Sequence, residues 1–126
     1  MRITEFGEAV RAARYETRQT LRSMSSALGV SPAFLSSMET GRDKVPLDFV
    51  GKVEQFFAGL GFLFRKDELR KLAMVSNENA PLSGLSPHHQ MLVAGFASSD
   101  FTEDQLKMFA EALDQIHAGR KESRHD

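Results

Sequence analysis

The sequence predicts an all-α protein, and three observations support this fold class. Apolar residues recur at spacings of three and four in successive segments, which is the period of an amphipathic helix. Most of these segments follow a Ser, Thr or Pro, the residue types that favour helix starts. No stretch shows the sustained period-two alternation of a half-buried strand. The composition, 41% hydrophobic and 26% charged residues, is typical of a globular chain.

Two helices are predicted before residue 30. The first begins after the N-cap residue Thr4 and runs to Tyr15, and the second begins after Thr20. Gly29 ends the second helix, since glycine readily adopts the left-handed conformation found at helix ends. The residues expected to face the core are Phe6, Val10 and Ala13 in the first helix and Leu21, Met24 and Leu28 in the second.

Ser31 and Pro32 predict the start of a third helix, because Ser is a preferred N-cap and Pro at the first helical position loses no hydrogen bond. This helix ends at Gly41. Pro46 precedes a fourth helix, predicted from about residue 47 to residue 60. The apolar contacts expected from these two helices come from Phe34, Leu35, Met38, Val50, Val53, Phe56 and Phe57.

The second half of the chain is predicted to be helical as well. A charged amphipathic helix over 66–75 has Leu69, Leu72 and Ala73 facing inward, and residues 76–84 have linker composition. A further helix begins at Ser86-Pro87 and runs to about residue 98. The last helix, 103–118, follows the capping box formed by Thr102 and Gln105.

Composition excludes several classes of function. The chain has no cysteine, so disulfides, thiolate metal sites and cysteine nucleophiles are ruled out. The longest apolar run, residues 56–64, is far shorter than a membrane helix, and charged residues interrupt the N-terminus where a signal peptide would lie. No catalytic constellation or cofactor motif is recognisable, and adjacent His88 and His89 lack the spacing for chelation. We therefore expect a cytoplasmic protein that is not an enzyme and holds neither metal nor cofactor.

The charge is distributed unevenly along the chain. The net charge is −1, which by itself disfavours a nucleic-acid partner. Between Arg11 and Lys44, however, six basic residues stand against three acidic ones, whereas acidic residues are in excess from Gly51 onward. The asymmetry is modest, and a solvated surface explains it as well as a binding surface does.

The segment from Thr20 to Pro46, TLRSMSSALGVSPAFLSSMETGRDKVP, resembles the Xre or lambda-repressor-like helix-turn-helix family. The L-G-V-S turn, the apolar pair Leu35 and Met38, and the E-x-G-R exit all occur in the family's register. Ser25 departs from the family, which usually has Ala at that position. The resemblance implies a five-helix DNA-binding domain in which the second short helix enters the major groove and the first crosses the phosphate backbone.

The resemblance also implies roles for particular residues. The positions facing the bases are Ser31, Pro32, Ala33 and Ser37, and those contacting phosphates are Thr20, Arg22, Ser36, Thr40, Arg42 and Lys44. The base-facing set lacks Gln, Asn and Arg, the side chains that make bidentate base contacts. We therefore expect DNA shape, water and half-site spacing to supply much of the specificity.

We expect three regions: a DNA-binding domain over 1–62, a helical extension over 63–119 and a flexible tail over 120–126. The extension is predicted to form a homodimer that places two recognition helices on a pseudo-palindromic operator. The residues expected at its interface are Leu92, Phe96, Leu106, Phe109, Leu113 and Ile116. The function implied is a dimeric repressor or autoregulator in a bacterial or phage-infected cell. The alternative is an antitoxin-like protein that binds DNA and, through its C-terminal half, a partner protein.

Overall fold

The computed structural model describes residues 2–124 and, of these, the side chains of residues 2–120. The described residues are all-helical, as the sequence predicts, and contain no strand. None of their helices has the length and apolar character needed to cross a membrane. The seven helices are α1 (Glu5–Glu16), α2 (Leu21–Leu28), α3 (Pro32–Glu39), α4 (Leu47–Ala58), α5 (Glu68–Asn77), α6 (Pro87–Ser98) and α7 (Glu103–Arg124).

Side-chain caps fix most helix starts where the sequence predicts them. Thr4, Thr20, Ser31 and Ser86 each accept a hydrogen bond from the backbone N–H three residues later. The expected capping box at Thr102 is confirmed, because its hydroxyl accepts from the N–H of Gln105 at 3.1 Å while its own N–H donates to the Gln105 side chain at 2.9 Å. Each cap satisfies an N–H group that the helix itself leaves unpaired.

The chain divides into two units between Pro81 and Leu82, the N-terminal unit with α1–α5 and the C-terminal unit with α6 and α7. We expected the boundary at residue 62. It lies later because α5 packs on α1 and α4, with Leu69 and Ala73 fully buried. The N-terminal unit thus has a single core, formed by Phe6, Val10, Ala13, Met24, Leu35, Met38, Val45, Phe49, Val50, Val53, Phe57, Leu69 and Ala73.

Aromatic rings explain why the segment after residue 62 stays with this core. Phe57 is fully buried at the end of α4, and its ring meets those of Phe62 and Phe64 edge-on, with centroids 6.0 and 5.8 Å apart. Edge-to-face pairs of this kind are favourable beyond the apolar area that they bury. The connection from α4 to α5 is therefore part of the packed structure.

The last residue of α5 is bonded to the segment that follows α3. The Asn77 side chain accepts a hydrogen bond from the N–H of Val45 at 2.7 Å and donates one to its carbonyl oxygen at 2.8 Å. Both backbone groups of a buried residue are thus satisfied by one amide. Asn77 fixes the backbone immediately after the exposed basic residues Arg42 and Lys44.

The C-terminal unit is built differently. No residue of α6 is buried, and α6 and α7 do not pack side by side along their described lengths. Phe96 of α6 meets Phe101 and Phe109 at centroid distances of 5.0 Å in both pairs. α7 continues to Arg124, so the expected tail over 120–126 is helical through residue 124, and residues 125–126 lie outside the described residues.

Candidate nucleic-acid interface

The connection between α2 and α3 is a short turn fixed by backbone geometry. Gly29 has φ 72°, in the left-handed region, and its N–H donates back to α2. The N–H of Val30 donates to the Ser25 carbonyl oxygen at 3.0 Å, and the half-buried Val30 side chain packs on the core. The buried Ser25 hydroxyl donates to the carbonyl oxygen of Arg22 at 3.0 Å. This bond satisfies the polar group that Ser25 places in the interior.

The leading end of α3 is open to solvent. Ser31, Pro32, Ala33 and Phe34 are all exposed, and the Ser31 hydroxyl accepts from the N–H of Phe34 at 3.1 Å. Phe34 is 36% exposed and contacts Phe49 edge-on at a centroid distance of 6.2 Å. The aromatic ring therefore packs beneath the helix, as expected, while the backbone of the first turn stays accessible.

A shallow concave surface runs along α3 and past its end, with a volume of about 600 Å³. The structure brings together here two residues predicted to face bases and three predicted to contact phosphate. They are Ala33, Ser36, Ser37, Thr40 and Arg42.

Two of the hydroxyl groups on this surface have their protons committed. Ser37 donates to the carbonyl oxygen of Phe34 at 2.7 Å, and Thr40 donates to that of Ser36 at 3.1 Å. A hydroxyl whose proton is used in this way can still accept through its two lone pairs. In this arrangement both residues offer acceptors to a ligand.

The remaining predicted site residues lie around this surface and do not line it. Ser31 and Pro32 are at the start of α3, and Lys44 is exposed beyond Arg42. Thr20 and Arg22 are exposed at the start of α2, where the Thr20 and Ser23 side chains cap each other's backbone N–H groups at 2.9 Å. Within residues 2–120, Arg22, Arg42 and Lys44 form no ion pair.

Sequence analysis missed the ion pair that holds the end of α3. Glu39 is fully buried and bonds to Arg14 of α1, with 3.0 Å between Nη2 and Oε1, while the more exposed Arg11 contacts the same oxygen at 3.1 Å. The signal was present, since Glu39 follows Leu35 by four residues and so lies on the buried face of α3. An acid on an apolar face needs a cationic partner.

The backbones of α1 and α3 also come very close together. The N–H and the hydroxyl of Thr4 both donate to the carbonyl oxygen of Glu39, at 3.0 and 3.1 Å. A Cβ at Gly7 would overlap this oxygen and lie 2.8 Å from the carbonyl carbon of Glu39. Only glycine fits at this contact, so Gly7 fixes the distance between the two helices.

Asp43 is a second residue that sequence analysis did not assign to the site. It lies between Arg42 and Lys44 and lines a neighbouring depression with Ala33, Phe34 and Ser37. Its N–H donates to the carbonyl oxygen of Ser37 at 3.2 Å. The loop is thus held against the last turn of α3 and carries a net charge of one positive unit.

The six residues expected at a dimer interface are all solvent-accessible in the single chain. Their exposure ranges from 39% at Leu106 to 61% at Leu92. Within the described part of the chain, His, Asp and Glu side chains form no group of three or more that would hold a metal ion.

No protein-family model, curated protein or solved structure compared with the chain matches it.

Proposed function

We propose that this protein is a sequence-specific double-stranded DNA-binding regulator of transcription. In this proposal α1–α5 form a lambda-repressor-like domain, α2 and α3 are its helix-turn-helix, and α3 enters the major groove. The observation that carries the proposal is the open first turn of α3, which adjoins a concave surface lined by small polar residues and Arg42. Asp43 is the acidic side chain that borders this surface, and its neighbours Arg42 and Lys44 leave the loop with a net positive charge.

The groove-facing side chains favour particular base edges. Because Ser37 uses its proton within the helix, it is suited to accept from the amino groups of adenine or cytosine. Ala33 and Pro32 offer apolar surface, which suits the methyl group of thymine. Because no side chain in this set makes bidentate hydrogen bonds to a base, sequence-dependent DNA shape and bound water supply the rest of the specificity.

Electrostatic attraction to the phosphates comes from both ends of the motif. Arg22 extends from α2, and Arg42 and Lys44 follow α3, all of them exposed. The first-turn N–H groups of α2 add partial positive charge beside Thr20. A single domain with so few basic side chains gains affinity by acting as a homodimer, whose two recognition helices lie about 34 Å apart on a pseudo-palindrome.

The proposal is tested by selecting bound fragments from random double-stranded DNA with the purified protein. We expect an enriched site with two-fold symmetry and a half-site spacing of about one helical turn. The variant carrying Ala33→Gln and Ser37→Ala should enrich a different half-site while keeping its affinity for random DNA within about threefold. Absence of any enriched site, or an unchanged site in the variant, would show that α3 does not read the DNA.

The salt dependence of binding separates phosphate contacts from base contacts. Arg42→Ala with Lys44→Ala should weaken binding to all sequences alike and flatten the logarithmic salt slope by up to about two units. The matched control is Arg70→Ala with Lys71→Ala, which removes the same charge from exposed positions of α5. An equal change in slope in both variants would indicate a general charge effect and not contacts made by the loop after α3.

A further inference from the structure

We infer that α7 pairs antiparallel with α7 of a second copy of this chain. In this pairing Leu106 lies opposite the second copy's Ile116, and Phe109 lies opposite its Leu113. The inference deepens the proposed function and rests on it for its biological role, since it names the surface and the orientation by which the regulator dimerises. The pairing itself is tested without DNA.

A continuous apolar stripe on α7 provides the contact surface. Leu106, Phe109, Leu113 and Ile116 follow one another at spacings of three, four and three, which places them along one side of the helix. They are 39%, 42%, 54% and 55% exposed in the single chain. Lys107, Glu111 and Asp114 fall on the opposite side by the same spacing. A stripe of this kind is the seam of a two-stranded helical contact.

Among the described residues, this stripe is covered only in part by its own chain, where the Phe109 ring packs on Phe96 and Phe101. α6 contacts α7 through Phe96 and leaves its own Met91 and Leu92 at 72% and 61% exposure. No residue of α6 is buried, so this helix gains little from folding within one chain. Large apolar residues concentrated at this density normally mark a contact surface.

The charges on α7 favour an antiparallel second copy. The first turn is acidic, with Glu103 and Asp104, whereas His117 and Arg120 lie near the other end. Antiparallel pairing brings Glu103 beside the second copy's His117 and Arg120, while parallel pairing brings like charges together. Among residues 2–120, neither Glu103 nor Arg120 forms an ion pair within its own chain.

One two-fold axis accounts for both apolar pairs. The midpoint between positions 106 and 116 and the midpoint between 109 and 113 both fall at position 111. A single axis at this level therefore places each stripe residue opposite another stripe residue, as an isologous interface requires. The same axis puts Thr102 opposite the second copy's Arg120, next to Glu103.

The absence of cysteine allows a direct test of orientation by crosslinking. Leu106→Cys and Ile116→Cys are prepared separately in the full-length chain, and their disulfide formation is measured alone and after mixing under subunit exchange. We expect an efficient covalent dimer only in the mixture. Crosslinking of each variant with itself would indicate parallel pairing. A covalent dimer in none of the three samples, or a monomer by sedimentation at micromolar concentration, would overturn the inference.

Charge reversal provides an independent test that needs no new bond. Arg120→Glu should raise the dimer dissociation constant by about tenfold, because the lost pair occurs twice in a symmetric dimer. Adding Glu103→Arg to Arg120→Glu should restore dimerisation. Lys107→Glu, an equal charge change on the far side of α7, should alter the constant by less than about threefold. Failure of the double variant to recover, or an equal effect of Lys107→Glu, would contradict the antiparallel register.

These outcomes can be told apart from failure of the proposed function. A chain that crosslinks in the mixture but enriches no DNA site would retain the α7 pairing and lose the role as a DNA-binding regulator. A chain that enriches a DNA site but forms no mixed crosslink would retain the DNA-binding role and lose the pairing.

Discussion

The two units of this protein use apolar residues in opposite ways. In the N-terminal unit, apolar residues of five helices form one buried core, and even a glutamate is fully buried against an arginine. In the C-terminal unit, α6 buries no residue, and the large apolar residues Leu92, Leu113 and Ile116 are more than half exposed. The first unit therefore buries its apolar side chains within one chain, whereas the second leaves large apolar side chains exposed to solvent.

The two units also differ in how strongly their contacts constrain the positions of the helices. The position of α3 relative to α1 depends on two buried contacts, the Arg14–Glu39 ion pair and the backbone contact at Gly7. For α6 and α7, by contrast, the contacts in the proposed pairing depend on the size and spacing of exposed apolar side chains. Substitutions in the first unit should consequently have large effects on its free energy of unfolding. Substitutions in the second unit should have small effects on the stability of the first.

The largest effect is expected from Glu39→Ala. This change leaves the Arg14 guanidinium, whose side chain is only 9% exposed, without its buried partner. We expect the free energy of unfolding to fall by about 3–5 kcal/mol, the usual cost of breaking a buried ion pair from one side. The free energy of unfolding is measured by urea denaturation, with circular dichroism as the signal.

Arg11→Ala is the matched control for the same ion pair. Its side chain is 48% exposed and contacts the same carboxylate, so solvent screening should limit the loss to less than about 1 kcal/mol. An equal loss of unfolding free energy in Glu39→Ala and Arg11→Ala would mean that burial does not determine how much each ion pair of Glu39 stabilises the fold.

Gly7→Ala should have the next largest effect. Its Cβ would overlap backbone atoms of Glu39 and lie 2.8 Å from the Ile3 side chain, so α1 must move away from α3. We expect a loss of about 2–3 kcal/mol in the free energy of unfolding, as for other overpacked contacts. The control is Gly51→Ala in α4, where a Cβ would meet no atom within 4 Å and should add about 0.5–1 kcal/mol of stability. A neutral Gly7→Ala would show that the two helices are not in close contact.

Local signals in the sequence predicted every helix, because caps and apolar spacing act over a few residues. The starts at Thr4, Thr20 and Ser31 and the turn at Gly29 needed no knowledge of the tertiary structure. These same signals predicted α3, whereas the expectation that its first turn is accessible came from the family resemblance. The roles proposed for individual side chains came from the family resemblance and remain predictions.

Tertiary contacts account for what the sequence did not reveal. The boundary expected at residue 62 left α5 out of the N-terminal unit. Linker composition after residue 76 does not indicate whether Leu69 packs against α1 and α4. The bond between Asn77 and Val45 spans 32 residues, and neither residue carries a local sign of the other. The burial of Glu39 was predictable from helical spacing, but its partner was predictable only once α1 and α3 were placed side by side.

Asn77→Ala should have an intermediate effect, since it removes two hydrogen bonds to the backbone of Val45 and leaves both backbone groups unpaired. We expect a loss of about 1–2 kcal/mol in the free energy of unfolding and faster amide hydrogen exchange in residues 42–46. Asn79→Ala, two residues later and exposed, should change stability by less than about 0.5 kcal/mol. Unchanged exchange in Asn77→Ala would show that this amide does not hold the loop.

The smallest effect on the N-terminal unit is expected from a change in the second unit, Phe109→Ala. Phe109 contacts only Phe96 and Phe101 among the aromatic residues and is 42% exposed, so the amides of α1 and α4 should keep their exchange protection to within about 0.5 kcal/mol. The dimer dissociation constant should rise at least tenfold, because a large apolar side chain would leave the α7 stripe on both copies. Met108→Ala, which removes a 68% exposed neighbour outside the stripe, should change that constant by less than about threefold. If Phe109→Ala instead weakened protection in α1 and α4, the two units would share their stability, and the contrast between a unit with a buried core and an extension with exposed apolar side chains would be wrong.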